Sequence, residues 1–267
     1  MFPLKDHNPS ETTPYVTLLL IAINTLVMAW LAFLPPLEQQ EAVLEHGFIP
    51  ARIAQLTQNR IIQVEFELQE PAAAPGFAPA RREVKRIELP PNPAQILSTI
   101  LTTMFLHGGW MHLAGNMWFL WVFGNNIEDR LGHFLYLAFY LVGGLLATAC
   151  HWANDPASTT PVVGASGAVA TILGAYAVTF PKATVSTLFF FGIITVIEIP
   201  ALVWLGVWLV GQLVDALFNR EQGVAVWAHI GGFAAGALLM PILSFGSPPP
   251  GSSWQEELRK HFTDVPP

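Results

Sequence analysis

Residues 162–171, VVGASGAVAT, set a serine between two glycines where an unbroken apolar run begins. Two chemistries fit Ser166. A serine at a helix start caps the helix by accepting a hydrogen bond from an orphan backbone N–H. The same hydroxyl is a nucleophile if a base and an oxyanion site converge on it. The rest of the chain decides between them.

The stretch lies in a chain built for a bilayer. Of its 267 residues 52% are hydrophobic and 12% charged, about half the charged fraction of a soluble domain. Six stretches approach the roughly 20 apolar residues that a spanning helix needs: 15–34, 110–127, 133–152, 165–180, 200–218 and 226–244. The first 14 residues are polar and mixed in charge. The run after them is too long for a signal-peptide core and lacks a small-residue cleavage pattern, so it is expected to stay as the first span. The net charge of −7 argues against a nucleic-acid surface. A single cysteine, Cys150, excludes an internal disulfide and any multi-cysteine metal site.

Two regions break the helical pattern. Residues 35–93 form a long polar connection in which RIIQVEFELQ and REVKRIELP alternate apolar and polar residues around a Pro/Ala/Gly-rich centre. This pattern predicts a β-hairpin outside the membrane. Residues 183–199 are apolar, β-branched and Phe-rich, and read as interfacial or re-entrant. The expected organisation is a polar tail over 1–14, a membrane domain over 15–244 with 35–93 as its insertion, and a Pro-rich, mostly disordered tail over 245–267.

Polar groups inside apolar spans are costly and mark function by default. Four stand out: His112, Asn116, Ser166 and His229. His112 and Asn116 are four residues apart and share one helix face. Together they offer donors suited to an oxyanion hole, or to bonding a neighbouring helix. Gly232 and Gly236 follow His229 on its own face as a G-x-x-x-G surface, and Ser166 shares its face with Ala170, Gly174 and Ala177. Two small-residue faces permit close packing, which would bring the Ser166 hydroxyl to the His229 imidazole as nucleophile and base.

Taken in order, these motifs resemble the rhomboid family of intramembrane serine proteases. The resemblance rests on Gly164-Ala165-Ser166-Gly167, on His112 and Asn116 as H-x-x-x-N, on Ala228-His229 followed by Gly232, on His107-Gly-Gly-Trp-Met-His112, and on Glu128-Asp-Arg130-Leu-Gly132. It implies an all-α, six-transmembrane-helix bundle with the extramembrane insertion between its first two spans. It implies a Ser166–His229 dyad without a third acidic member and without metal or cofactor. His112, Asn116 and the Ser166 backbone N–H would hold the oxyanion, with Gly164 beside them, and Gly167, Gly232 and Gly236 would support helix packing. Transmembrane protein substrates and the lipid bilayer are the implied partners, and a bacterial inner (plasma) membrane is the expected location. Glu128 and Arg130 are expected to tie a turn or helix end, and His107 to brace the connection near the site.

Two features depart from the family pattern. Ala170 stands where some members carry a tyrosine that stacks on the catalytic histidine, so the His229 ring is expected to be fixed by packing against Phe233 or the second span, and no Trp-Arg pair occurs in the first connection. Asp215 is a candidate orienting acid for His229, although it lies at the far end of its span. Competing functions are a non-proteolytic rhomboid-like binder of transmembrane segments, a transporter and a metalloprotease. The first would be expected to lack the serine or histidine. The second lacks repeated broken helices. The third lacks an H-E-x-x-H pattern among the eight histidines.

Overall fold

The computed structural model describes residues 2–69, 82–191, 193–218 and 225–245. The expectation of a disordered C-terminal tail falls on residues outside this set. Helix dominates, and the helices follow the apolar runs closely: α1 (Tyr15–Phe33), α4 (Trp110–Leu131), α5 (His133–Asn154), α6 (Ser166–Thr179), α7 (Ala201–Phe218) and α8 (Val226–Leu243). Among the described residues four helices, α1, α5, α7 and α8, are long and apolar enough to cross a membrane. Helix α6 has 14 residues, a length of about 21 Å. Helix α4 is long enough at 22 residues but carries Asn125, Asn126, Glu128, Asp129 and Arg130 near its end.

Helix α6 is the centre of the bundle. Every residue from Gly167 to Ala177 is buried, as expected of a helix that is apolar on all sides. Its small residues let α8 approach to backbone contact. A β-carbon added at Gly232 would overlap the Gly167 carbonyl, one at Gly236 the Thr171 carbonyl, and one at Gly174 the Phe233 backbone. The other side of α6 packs on α5, where Gly143 meets Thr171 and the Gly167 position meets Ala147. Around this axis Leu120, Phe123 and Ile127 of α4, Tyr136 and Tyr140 of α5, and Leu205 of α7 fill the core. The outward faces of α1 and α7 expose Leu26, Phe33, Val207, Val210 and Leu217. Such faces suit lipid.

Residues 183–199 and the polar N-terminal tail form one structure. Strand β1 (Phe2–Asp6) pairs antiparallel with β4 (Thr184–Phe191), which pairs with β5 (Ile193–Pro200), in the order β1-β4-β5. The tail is pinned at the end of the bundle opposite the start of α6. Asp6 Oδ2 accepts from Tyr176 Oη at 2.7 Å and from Asn126 Nδ2 at 2.6 Å. Nearby, the buried Glu128 carboxylate closes the N-terminus of α1, accepting from the Val16 and Thr17 N–H groups at 2.8 Å each and from the Thr17 hydroxyl at 2.7 Å. A carboxylate there satisfies orphan donors and meets the positive end of the helix dipole. Glu128 thus ties a helix end, as the sequence implied.

The 35–93 connection contains more than a ribbon. It holds α2 (Pro36–His46), a 3₁₀ turn over Pro50–Leu56, and the antiparallel strands β2 (Ile62–Gln69) and β3 (Arg82–Leu89), with α3 (Pro93–Thr102) following. The residues between the two strands lie outside the described set. A small second core of Leu44, Ile49, Ala51, Ile62, Val64 and Leu89 holds the insertion together. Buried Arg52 donates from Nε to Gln55 Oε1 at 3.2 Å and from Nη2 to Gln95 Oε1 of α3 at 3.0 Å.

Candidate active site

The positive φ of Gly164, +127°, turns the chain into α6, a conformation that glycine adopts without steric cost. The helix then starts at Ser166. Its N-cap is Ala165, and no side-chain capping bond is made there. The capping role considered for Ser166 is therefore not the one it occupies: its hydroxyl stands in the first turn, at the edge of a cavity.

That cavity, about 380 Å³, is lined by Ser166, His229, His112 and Asn116 together with Trp208 and Gln212. The four sequence-predicted polar residues thus meet in one place. They come from the N-terminal ends of α4, α6 and α8, with α7 along one side. Close packing of α6 on α8 through Gly167 and Gly232 brings the serine and histidine ends together. Gly164 sits directly against the first turn of α4, where a β-carbon would lie 2.8 Å from both Cε1 and Nε2 of His112 and 3.6 Å from Asn116 Nδ2. Buried Asn116 Nδ2 has no hydrogen-bond partner among the described residues. An unpaired buried donor is costly unless a ligand takes it up.

The loop that carries Ser166 is strapped on two sides. Phe48 of the insertion pairs backbone to backbone with Val162, and the Ala51 N–H donates to the Ser158 carbonyl at 2.9 Å. On the other side the Gly164 N–H donates to the Thr103 carbonyl at 2.9 Å. Beneath them His107 is wholly buried. Its ring stands edge-on to that of His112 with centroids 5.1 Å apart, and its Nε2 faces the Ala165 N–H at 3.5 Å. Burial, reinforced by the neighbouring His112, lowers the His107 pKa to about 4, so the ring is neutral at physiological pH.

Sequence reading missed how His229 is held. Ala170 offers no aromatic face, and its β-carbon instead lies 3.2 Å from where one would stand on Gly232. The ring is held from α7: Trp208 lies at a centroid distance of 6.1 Å and 38°, and Gln212 Oε1 is 2.6 Å from His229 Nδ1. Asp215, weighed as the orienting acid, follows Gln212 by three residues, and Nδ1 bonds the amide. The signal was available: Gln212 is an uncharged polar residue in the middle of an apolar span, as informative by position as Asn116. Among the described residues no cluster of His, Cys, Asp or Glu could hold a metal ion.

A model of the Rhomboid domain matches residues 94–245, more than half of the chain. The chain belongs to the rhomboid family. The matched segment contains all four cavity-lining residues singled out from the sequence and leaves the 35–93 connection outside it. Among named relatives this rhomboid is 33% identical over 102 residues to the presenilin-associated rhomboid-like protein, mitochondrial, of Bos taurus, covering 37% of this chain and 27% of the relative. It is 30% identical over 159 residues to RHOMBOID-like protein 12, mitochondrial, of Arabidopsis thaliana, covering 53% and 45%. With Rhomboid-like protein 11, chloroplastic, of the same plant it shares 39% over 69 residues, 26% and 24% of the two chains. The match therefore spans less than half of each of these relatives.

Those names correct the expected location. The relatives are mitochondrial and chloroplastic, not proteins of a bacterial inner membrane. The physical reason is plain: apolar spans record that a bilayer is crossed, but spans of about 20 residues suit many membranes alike.

Proposed function

We propose that this rhomboid is an intramembrane serine endopeptidase that hydrolyses peptide bonds in or near transmembrane segments of membrane-protein substrates. The observation that carries the reading is the convergence of Ser166, His229, His112 and Asn116 on one cavity. In this reading Ser166 Oγ attacks the scissile carbonyl carbon while its proton passes to His229 Nε2. The carbonyl oxygen gains negative charge and is met by His112, Asn116 and the Ser166 backbone N–H, beside Gly164. As the tetrahedral intermediate collapses, Nε2 returns the proton to the leaving amine. Water then enters and attacks the acyl carbonyl as His229 Nε2 takes its proton; that proton passes to Ser166 Oγ as the ester bond breaks, which frees the new carboxyl end and restores the enzyme.

The six helices α1, α4, α5, α6, α7 and α8 serve as the spans, with residues 15–244 as the membrane domain, 35–93 as its extramembrane insertion, and 1–14 and 245–267 as tails. Short α6 sets Ser166 below the membrane surface, where a hydrated cavity supplies the water that hydrolysis needs. No metal or cofactor enters this chemistry. The names of the relatives support an organellar membrane as the location. A purely binding role has less support, because serine and histidine both line the cavity.

The test is cleavage of a labelled single-span substrate by purified protein in liposomes. Wild type is expected to cleave, and folded Ser166→Ala and His229→Ala variants are not. Cleavage retained by Ser166→Ala would sink the mechanism.

A further inference from the structure

The proposed dyad leaves one question open: what fixes the tautomer and aim of His229. A histidine base must present an unprotonated Nε2 to the serine, so its proton must sit on Nδ1. In this fold the partner of Nδ1 comes from a helix other than those carrying the serine and the oxyanion donors. Gln212 of α7 places Oε1 2.6 Å from Nδ1. One turn earlier on α7, Trp208 stands beside the imidazole, tilted at 38° with centroids 6.1 Å apart, and stacks on Phe233 at 6.0 Å and 30°. Both α7 residues line the cavity.

We propose that Gln212 is the positioning residue of the active site, a neutral third member that holds His229 with its proton on Nδ1 and its lone pair aimed at Ser166. This rests on the reading of Ser166 and His229 as nucleophile and base. An amide oxygen can only accept, so it selects the Nδ1–H tautomer. The reversed amide would donate to Nδ1, leave the proton on Nε2 and disable the base. Unlike a carboxylate, the amide adds no charge to the membrane interior, where an ionised group is expensive. It stabilises the imidazolium less than a carboxylate does, through a neutral rather than a charge-assisted hydrogen bond. The titratable groups acting on His229 from packed helices are His112 of α4 and His151 of α5.

The arrangement also links the base to α7. Helix α7 is less buried in the bundle than α5 or α8. A displacement of α7 away from α8 would withdraw Gln212 and Trp208 from His229 together.

Two substitutions separate positioning from packing. Gln212→Met keeps the length of the side chain but cannot accept the bond, and Gln212→Glu keeps an acceptor and adds charge. With wild type cleaving and Ser166→Ala silent, Gln212→Met is expected to lower kcat roughly 10- to 100-fold with KM within about twofold. Gln212→Glu is expected to restore most of kcat and to move the acidic limb of the pH–rate profile to higher pH, because a carboxylate favours the protonated ring. Independently of turnover, ¹⁵N NMR of histidine-labelled protein in micelles, with His229 assigned by difference from His229→Gln, is expected to show the proton on Nδ1 in wild type. In Gln212→Met the two tautomers should mix.

A Gln212→Met variant with wild-type kcat overturns the proposal and leaves the dyad standing. So does a Gln212→Glu variant as impaired as Gln212→Met with an unshifted profile, or a wild-type His229 protonated on Nε2. Cleavage surviving in Ser166→Ala would instead remove the proposed function, while the NMR result still reports on Gln212.

Discussion

Gly164 faces His112 so closely that a β-carbon at the glycine would lie 2.8 Å from the imidazole Nε2. The turn that delivers the serine and the helix that carries the proposed oxyanion donors are therefore fitted backbone to side chain. The same glycine has a φ of +127°, where an L side chain is strained. Gly164→Ala is expected to cost roughly 1–3 kcal/mol in strain and to push His112 out of place. The outcome to look for is a fall in kcat larger than the fall in thermal stability. A variant with full activity would show that His112 is not held where the oxyanion reading needs it.

Packing of α6 on α8 has a sharper expectation. Gly232 and Gly236 stand against the Gly167 and Thr171 carbonyls with no room for a β-carbon. Gly236→Val should destabilise by about 3 kcal/mol or more, since overpacking must separate the helices. Gly206 and Gly211 of α7 have nothing within 4 Å of an added β-carbon. Alanine at either is expected to change stability by less than about 1 kcal/mol. Thermal unfolding of the four proteins in one detergent checks this.

Glu128 accepts four hydrogen bonds or contacts from Val16, Thr17 and His133, the last at 2.6 Å to His133 Nδ1. Glu128→Ala orphans the donors at the start of α1 and is expected to cost about 3 kcal/mol. Glu128→Gln, which keeps an acceptor, should cost less. Equal losses in the two variants would mean that the carboxylate acts through charge alone.

The buried His107 predicts a pH dependence. Its pKa is lowered to about 4 in the folded protein, from an ordinary value of 6.5, because burial disfavours the charged ring. A depressed histidine binds protons more readily in the unfolded chain. Its contribution to stability is therefore complete above pH 6.5 and is lost progressively as pH falls through about 4. The full loss is on the order of 3 kcal/mol. His107→Phe, which cannot be protonated, should flatten the fall in unfolding temperature between pH 6.5 and 4.5.

The helices were legible because long apolar runs bounded by polar, Pro or Gly residues mark them, and the small faces of 166–177 and 229–236 disclosed which helices touch. Strand β1 was not legible. FPLKD acquires strand structure only by pairing with β4, about 180 residues later, and no local pattern announces so distant a partner. The run 183–199 read as interfacial or re-entrant because it is largely apolar, β-branched and Phe-rich, with Glu198 just before Pro200, and periodicity alone does not separate such a run into two paired strands. The cavity was legible in Ser166, His229, His112 and Asn116. Gln212 and Trp208 escaped because they act through the side of His229 turned toward α7, and which face α7 presents depends on its packing.

The most direct test of the central claim is labelling of the folded protein with a fluorophosphonate, followed by intact-mass and peptide mapping. The account predicts a single adduct on Ser166 in wild type, none in Ser166→Ala, and labelling slowed at least ~100-fold in His229→Ala. Labelling of His229→Ala at the wild-type rate, or an adduct elsewhere that persists in Ser166→Ala, would contradict it.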